Sequence, residues 1–248
     1  MKQPSLTAAE LKNISALVQY YEDNKRVFES LVYQLNGHIE ASDKLKELVH
    51  SVKGRVKDPA HLYDKLVRKG LEHKINGRSF PYSKENLFKS VNDLAGFRIL
   101  HLHTKQVKDI DKELQRIFEE QRWILLEGPA ARTWDDESKQ YFKDIGFDTV
   151  DSESMYTSVH YVVQPNSRSE TTCEIQVRTL MEEVWGEVDH KINYPKKSES
   201  ESCKEQIKVL ARVTSSCSRL VDSIFLSHNH VISEKSSTPR RKGRGGMS

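Results

Sequence analysis

Apolar residues recur at helical spacing near the N-terminus of the chain. They predict one long amphipathic helix over 7–35, with the apolar face formed by Leu11, Ile14, Leu17, Val18, Tyr21 and Phe28. Thr7 and Glu10 have the spacing of a capping box, which favours a helix that begins there. A second helix is predicted over 41–53. A third follows Pro59, because proline suits the first turn of a helix.

The periodicity changes after residue 93, where a short apolar run is typical of a buried strand. The remaining predictions are strands over 94–102, 123–126, 156–163 and 172–177 and helices over 106–121, 179–192 and 201–227. Residues 128–152 are polar, and we expect them to be irregular. This order of helices and strands predicts an α+β domain built on one sheet, not a doubly wound fold.

Composition limits the class of protein. The 248 residues are 36% hydrophobic and 8% aromatic, which suits one folded domain of ordinary size. No run of about 18 apolar residues is present, so the sequence predicts no membrane span and no membrane partner. The N-terminus lacks the apolar segment of a secretory signal, and the three cysteines form no CxxC pair. We therefore expect a cytoplasmic protein.

Charge is unevenly distributed along the chain. The whole chain has a net charge of +3, but the last segment, 231–248, alone carries +4, so residues 1–230 sum to −1. We expect this segment to be a disordered basic tail that follows a domain over 1–230. Residues 51–89 have a surplus of six positive charges, and residues 128–155 have an excess of four negative ones. Basic residues followed by spaced carboxylates suit a polyanionic ligand with metal ions, although solvated helix faces would give the same pattern.

Two of four candidate segments carry the charges that a triphosphate needs. In the segment over 55–70, Arg55, Lys57 and Lys65 could hold phosphates, and Arg55 could also stack on a base. In the second segment, NDLAGFRIL, Asp93 lies at the start of a predicted strand. An aspartate in that position is also a common cap or turn residue.

The other two segments lie on predicted strands. Alternation in YTSVH puts Tyr156, Ser158 and His160 on one strand face, and in EIQVRT it puts Glu174 and Gln176 on one face. An aspartate and a glutamate on neighbouring strands beside a basic helix suit metal-assisted nucleotide chemistry, because Mg²⁺ takes one or two carboxylates and completes its shell with phosphate oxygens and water. Each segment alone also fits an ordinary surface strand.

Together and in this order, the segments resemble the synthetase domain of RelA/SpoT-type alarmone synthetases. The resemblance rests on RVKDPAHLYDKL, VNDLAGFRI, YTSVHYVV and EIQVRTLMEEVWGEVDHKINY, and it covers about residues 50–195. It implies a mixed β-sheet flanked by helices, similar to nucleotidyltransferases, and the chain length suits a small single-domain member. It also implies an enzyme that transfers the β,γ-diphosphate of ATP to the 3′-hydroxyl of GDP or GTP.

The resemblance assigns the donor side of the site to four residues. Arg55 matches the arginine that stacks on the adenine of ATP. Lys57 and Lys65 match lysines that bind its phosphates. Asp93 matches the aspartate that binds Mg²⁺, the implied cofactor.

The resemblance assigns the acceptor side to three residues. Tyr156 matches the tyrosine that stacks on the acceptor guanine. His160 matches a nearby contact to phosphate or acceptor. Glu174 matches the glutamate that works with metal and with the attacking 3′-hydroxyl, so the implied catalytic and metal-binding pair is Glu174 and Asp93.

Departures from the family pattern fall mostly on the acceptor side. Ser152 is near the position of a common lysine, and Met155 replaces a common glycine; Asp58 and His61 replace small hydroxyl residues. The acceptor therefore stays open between GDP or GTP and the 3′ end of tRNA, which some toxins of this type modify, with an antitoxin as a further partner in that case. A catalytically silent nucleotide-binding regulator is a third alternative, and a homo-oligomer is compatible with each of them.

Overall fold

The computed structural model describes residues 5–152, 154–166, 170–193 and 197–237. Within these residues, one mixed sheet contains six strands in the order β1-β2-β6-β5-β3-β4. The strands are β1 (Ser51–Val56), β2 (Ala95–His101), β3 (Ile124–Thr133), β4 (Asp148–Asp151), β5 (Ser158–Gln164) and β6 (Cys173–Thr179). Strands β2 and β6 are parallel at the centre, and β1 and β5 run antiparallel to them on either side.

Helices surround this sheet. They are α1 (Ala8–Asp23), α2 (Lys25–Ala41), α3 (Asp43–Leu48), α4 (Pro59–Ile75), α5 (Leu87–Ser90), α6 (Gln106–Glu120), α7 (Asp136–Asp144), α8 (Leu180–Asn193) and α9 (Glu201–Ser237). The α+β fold with a mixed sheet flanked by helices is confirmed.

The two faces of the sheet differ in chemistry because side chains alternate along each strand. In β6, Cys173, Ile175 and Val177 are buried in the main hydrophobic core, which the apolar faces of α1, α2, α4 and α6 complete. Glu174 and Gln176 point to the opposite face and are only partly buried. The sheet therefore presents one polar face, on which the candidate site is built.

A second, smaller apolar cluster lies on that polar side. Trp185 of α8 packs on Ile207 and Ala211 of α9, and its indole N–H donates to the Ile207 carbonyl (3.1 Å). Farther along α9, Asp222 accepts a hydrogen bond from the Thr104 amide (2.6 Å), and Phe225 packs against the His103 ring. These contacts hold α9 across the end of the sheet where β2 and β6 finish.

The first predicted helix is two helices in the structure. Asn24 ends α1 and precedes α2, and its side-chain amide donates to the Tyr20 carbonyl. Both helices bury apolar residues in the same core, so the apolar spacing continues across the break and conceals it.

The helix predicted over 41–53 is wrong at its C-terminal end. Helix α3 stops at Leu48, and Ser51–Val56 forms the edge strand β1. This strand was missed because its middle residues Lys53, Gly54 and Arg55 are exposed, which leaves few apolar positions to show alternation. Strand β1 places Arg55 on the sheet, close to the start of the basic helix α4.

The prediction of irregular structure over 128–152 is also wrong. Strand β3 continues to Thr133, and α7 and β4 follow. Helix α7 is short and polar, and its N-terminus is capped by the Asp135 carboxylate, which accepts from the Ser138 amide (3.0 Å). A short capped helix beside a four-residue edge strand contains too few apolar residues for a periodic signal.

The remaining differences concern where elements begin and end. Strand β5 begins at Ser158, so Tyr156 lies in the preceding loop and not on the strand. Helix α9 ends at Ser237, ten residues beyond its predicted end, and it includes the first seven residues of the segment assigned to the tail. Residues 238–248, the rest of that segment, lie outside the described residues. Among the helices described, none combines the length and apolarity needed to cross a bilayer.

Candidate active site

Asp93 forms the centre of a compact charged cluster at the beginning of β2. Its two carboxylate oxygens accept hydrogen bonds from the Lys57 and Lys65 ammonium groups, each at 2.7 Å. Lys57 follows β1 and Lys65 lies on α4, so three separate elements meet at this carboxylate. The structure thus brings together three of the four residues assigned to the donor side.

Backbone contacts fix the position of Lys57. Its amide donates to the Leu94 carbonyl (2.9 Å), and its own carbonyl accepts from the Tyr21 hydroxyl (2.6 Å). The next residue, Asp58, caps α4 by accepting from the Ala60 amide (2.8 Å). Asp58 therefore has a structural role at the start of α4, and the chain turns there so that Lys57 and Lys65 converge on Asp93.

Burial and pairing act in opposite directions on this cluster. Burial raises the pKa of Asp93, but the adjacent Lys57 and Lys65 ammonium groups outweigh burial, so the pKa falls below its ordinary value. Burial also lowers the pKa of Lys57, although Asp93 partly offsets it. Asp93 is therefore a carboxylate at neutral pH, and it serves as the internal counter-ion of two lysines.

Arg55 lies between this cluster and Glu174 of β6 on the polar face of the sheet. In the sheet register Arg55 lies opposite Gly96, and Gly96 lies opposite Glu174. Gly96 has no side chain, and a Cβ built there would be 3.4 Å from Nε of Arg55. The Arg55 stem therefore lies over Gly96 of β2 on the polar face, whereas the Arg55 backbone is two strand spacings, or about 10 Å, from that of Glu174.

A pocket opens between β1, α4 and α8 around these residues. Its lining is rich in cations and consists of Arg55, Val56, Lys57, Asp58, His61, Lys65, Arg68, Asp93 and His190. Sequence reasoning missed Arg68 and His190 as site residues. Arg68 follows Lys65 by one helical turn on α4, which is the signal that could have found it.

Glu174 forms the centre of a second cluster, on the acceptor side. Its Oε1 is 3.1 Å from Nδ1 of His160, and its Oε2 accepts from the Gln176 amide (3.0 Å). Gln176 in turn accepts from the Tyr156 hydroxyl through its side-chain oxygen (3.1 Å). This hydrogen-bonded chain brings together all three predicted acceptor-side residues, and it includes Gln176, which the strand alternation had placed beside Glu174.

The protonation states in this chain follow from its contacts. Burial raises the pKa of Glu174, but His160 outweighs that effect, so the pKa lies below its ordinary value. An ionised Glu174 can only accept, so Nδ1 of His160 carries the proton. Nε2 of His160 is buried and has no hydrogen-bond partner among the described residues. It is a polar atom on the polar face that a ligand group can satisfy.

The Tyr156 ring has close neighbours on several sides. Its ring centre is 5.7 Å from that of His160 and 6.3 Å from that of Trp185, and the Arg178 guanidinium lies over it at 5.4 Å. Met155, just before it, has a left-handed backbone (φ 52°) and packs on the Trp185 cluster. Methionine thus adopts the conformation that glycine takes easily, at the position where many alarmone synthetases carry glycine.

Acidic residues of α8 pair with cations of the polar face. Glu183 bonds to Arg98 (3.0 Å) and Arg178, and Glu187 bonds to Arg98 and to Lys53 (3.4 Å). These pairs fix α8 over β1, β2 and β6 at the side of the pocket that His190 lines.

The two carboxylates of the site, Asp93 and Glu174, suit a divalent cation that also binds phosphate oxygens. Among the residues that the structure describes, no group of three or more histidine, cysteine or acidic side chains could hold a metal. Asp93 and Glu174 are close enough that the charge of Asp93 raises the pKa of Glu174 as a minor effect. Mg²⁺ in nucleotide sites commonly uses only one or two protein carboxylates, so these two fit it together with a bound triphosphate.

Comparison with known proteins identifies the family. The protein-family model described as "Region found in RelA / SpoT proteins" matches residues 54–199. The chain belongs to the RelA/SpoT family. A comparison with curated protein sequences found no match.

Solved structures of small alarmone synthetases share the fold of this RelA/SpoT protein. Small alarmone synthetase 1 from Bacillus subtilis bound to pppGpp is 21% identical, with a TM-score of 0.59 over 84% of this chain and 96% of that one. A GTP pyrophosphokinase family protein from Streptococcus pneumoniae is 19% identical, with a TM-score of 0.62 over 86% and 94%. The Bacillus enzyme bound to AMPCPP is 18% identical, with a TM-score of 0.55 over 85% and 96%.

Proposed function

We propose that the protein is an ATP-dependent pyrophosphokinase that transfers the β,γ-diphosphate of ATP to the 3′-hydroxyl of GDP or GTP. The 3′-oxygen attacks the β-phosphorus, the bond between the α-phosphate bridging oxygen and the β-phosphorus breaks, and AMP leaves. Family membership supports this reaction, and structures of similar proteins contain pppGpp or the ATP analogue AMPCPP.

One observation carries the proposal. The basic cluster around Asp93 and the hydrogen-bonded chain around Glu174 lie on one polar face, joined through Arg55 and Gly96. A donor pocket and an acceptor site on one face can hold the two substrates with their reacting atoms close together, and such positioning accounts for much of the catalysis in phosphoryl transfer.

On the donor side, the residues bind and neutralise a triphosphate. Lys57 and Lys65 exchange Asp93 for phosphate oxygens when ATP enters, and Arg68 adds a further positive charge. Arg55, whose stem lies over Gly96 of β2, stacks on the adenine. Asp93 and Glu174 would hold Mg²⁺, which when bound neutralises charge on the transferred group.

On the acceptor side, the residues orient the attacking hydroxyl. Tyr156 offers its ring to the guanine, and its hydroxyl is held by Gln176. Glu174 polarises the 3′-hydroxyl, and Nε2 of His160, a buried atom with no hydrogen-bond partner among the described residues, faces the acceptor. The Glu174–His160 contact keeps both side chains in place before substrate arrives.

The test is to incubate the pure protein with Mg²⁺, labelled ATP and one acceptor at a time: GDP, GTP or deacylated tRNA. Label in the γ-position should appear in the GDP or GTP product, and label in the α-position should appear in AMP. Formation of ADP would contradict pyrophosphate transfer. Binding of nucleotide without any transfer would favour a silent regulator.

Replacing Glu174 with glutamine checks the chemistry of the site. Glu174→Gln keeps the shape of the side chain and removes its charge, so transfer should fall on the order of 10²-fold or more, with the melting temperature little changed. Near-normal turnover in the purified variant would remove Glu174 from the reaction.

The tRNA 3′ end is the second candidate acceptor. It is favoured by Met155 and Ser152, which replace residues usual beside the acceptor guanine. The Met155 side chain packs in an apolar cluster, and the Ser152 hydroxyl accepts a 3.4 Å contact from the Tyr156 amide. Label only in deacylated tRNA would replace the alarmone reaction with this one.

A further inference from the structure

A buried glutamate lies behind the loop that carries Tyr156. Glu182 is in the first turn of α8 and is only 5% exposed. Its amide donates to the Thr179 hydroxyl (3.2 Å), which fixes the start of the helix. None of the roles proposed above uses this carboxyl group.

The Glu182 carboxyl group holds the backbone next to Tyr156. Its Oε2 accepts a hydrogen bond from the Thr157 amide (3.2 Å). The Thr157 hydroxyl is also paired with that of Thr133 (3.0 Å), and the Ser158 hydroxyl donates to the Val177 carbonyl (3.3 Å). Thr157 is therefore the point where α8, β3 and the acceptor loop meet.

The loop needs such a contact because its conformation is costly. Met155 has a left-handed backbone, which a residue with a side chain adopts only when its surroundings impose it. Tyr156 follows directly, so its ring position depends on how firmly the backbone is held on both sides. Strand pairing holds the β5 side, and the Glu182–Thr157 bond holds the residue between the strand and Tyr156.

We propose that Glu182 is a positioning residue that sets acceptor affinity by holding the Tyr156 loop against α8. The proposal rests on the proposed function, because it assigns Tyr156 to the acceptor. Glu182 itself does not touch substrate. It acts through the Thr157 amide and the loop that this amide anchors.

The charge state of Glu182 makes this contact sensitive to pH. Burial raises its pKa to about 7, while the Thr157 amide and Arg178 act to lower it and Asp135 to raise it. The charged and titratable groups that line the adjoining cavity with it are His101, Glu137, Tyr141, Arg178, Arg219 and Asp222. A carboxylate accepts more strongly than a neutral carboxyl, so the bond to Thr157 strengthens as pH rises through about 7.

Three variants separate positioning from general destabilisation. Glu182→Met keeps the side-chain volume and removes the acceptor, and Glu182→Gln keeps an acceptor oxygen without a titration. Glu113→Met is the matched control, because Glu113 on α6 is also buried (6% exposed) and accepts from the Ser42 hydroxyl (2.7 Å), away from the loop.

Steady-state kinetics should show a change confined to the acceptor. Glu182→Met should raise the acceptor KM about tenfold, with the KM for ATP unchanged and kcat within about twofold. Glu182→Gln should keep the acceptor KM close to the wild-type value. Glu113→Met should leave both the acceptor KM and the KM for ATP unchanged. Equal changes in both KM values, or none in the acceptor KM, would overturn the proposal.

The pH profile is the second readout. The wild-type acceptor KM should fall relative to that of Glu182→Gln between pH 6 and 8. The ratio is the measure because the acceptor phosphate titrates equally in both proteins. A constant ratio would overturn the role of the charge.

Amide hydrogen exchange gives a test that does not depend on activity. The Thr157 amide should exchange at least tenfold faster in Glu182→Met than in the wild type or in Glu113→Met. Unchanged exchange would show that Glu182 does not hold the loop. Wild-type protein that transfers pyrophosphate to no acceptor would instead refute the proposed function, and the exchange rates would still decide the contact.

Discussion

Asp93 does not have the environment expected of an open metal-binding carboxylate. Both of its oxygens are already bonded to lysines, and those lysines are the residues assigned to the phosphates. Without ATP, Asp93 supplies the negative charge that two partly buried ammonium groups need. Under the proposed function, ATP binding would exchange one counter-ion for another and would leave Asp93 free to bind Mg²⁺.

Replacing Asp93 with asparagine should therefore separate ATP binding from transfer. In Asp93→Asn the two lysines lose their counter-ion, so affinity for AMPCPP without Mg²⁺ should rise several-fold by calorimetry. Transfer should fall, and added Mg²⁺ should rescue it in part. Lys65→Met is the control, since it should weaken AMPCPP binding. If Asp93→Asn weakens binding as much as Lys65→Met does, Asp93 instead pre-orients the lysines.

Tyr156 should be needed for the acceptor and not for ATP. Its ring contacts His160 and lies apart from the donor pocket, whose lining does not include it. Since a base stacked on an aromatic ring contributes about 1–3 kcal/mol, Tyr156→Ala should weaken acceptor use roughly tenfold to a hundredfold. Tyr156→Phe keeps the ring and loses the hydroxyl that bonds to Gln176, so it should retain most activity. A raised KM for ATP alone would reverse the two assignments.

Among the elements, the pair β1 and β2 positions Arg55, which is assigned to the donor side. Strand β1 is an edge strand whose register with β2 places Arg55 directly opposite Gly96. The missing side chain at Gly96 gives the arginine a path across β2 toward Glu174. One small residue in a central strand thus determines where a cation on the edge strand can reach.

A branched side chain at position 96 should displace Arg55. Gly96→Val suits a strand, so the fold should persist, but its γ-methyl groups would occupy the space of the Arg55 stem. The KM for ATP should rise about tenfold, and Gly96→Ala should have a smaller effect because its Cβ alone makes ordinary contact. An unchanged KM for ATP in a folded Gly96→Val protein would show that Arg55 does not cross β2 to bind ATP.

Considered as a whole, the described part of the molecule has a main hydrophobic core on one side of the sheet and a polar face that α8 and α9 partly cover, with a smaller apolar cluster between these two helices. Helix α8 carries Glu183 and Glu187, whose ion pairs with Arg98 fix it over the sheet. Helix α9 is held by three contacts: Ile207 with Trp185, Asp222 with Thr104, and Phe225 with His103. The packing that supports the site therefore reaches to Phe225.

Truncation after His230 should leave nucleotide turnover unchanged. It removes 18 residues with a net charge of +4 and keeps the packing contacts at Asp222 and Phe225. Truncation after residue 212 removes those contacts, so it should lower the melting temperature clearly. If tRNA is the acceptor, loss of the basic residues should weaken tRNA labelling, most strongly at low salt. A large loss of GDP or GTP turnover in the protein truncated after His230 would show that the tail docks on the domain.

Strong periodic signals and short motifs were enough to predict the α+β class and most central elements. Strands β2 and β6 and helices α6 and α8 lie close to their predicted ranges, because their apolar residues alternate or recur over a full element. The seven candidate residues were found from their types and order. Comparison with the family bears out that family assignment, while the roles of the residues stay predictions.

Tertiary structure decided how those residues meet, because such contacts join elements far apart in sequence. Sequence gave no sign of β1 or of the break at Asn24, since an exposed edge strand and two helices in one core leave no distinct periodicity. Nor did it indicate that Asp93 is paired with Lys57 and Lys65, or that Glu182 supports Thr157 from another helix. Local pattern determines which face of an element is apolar, whereas long-range packing determines which polar groups share a face and which are buried together.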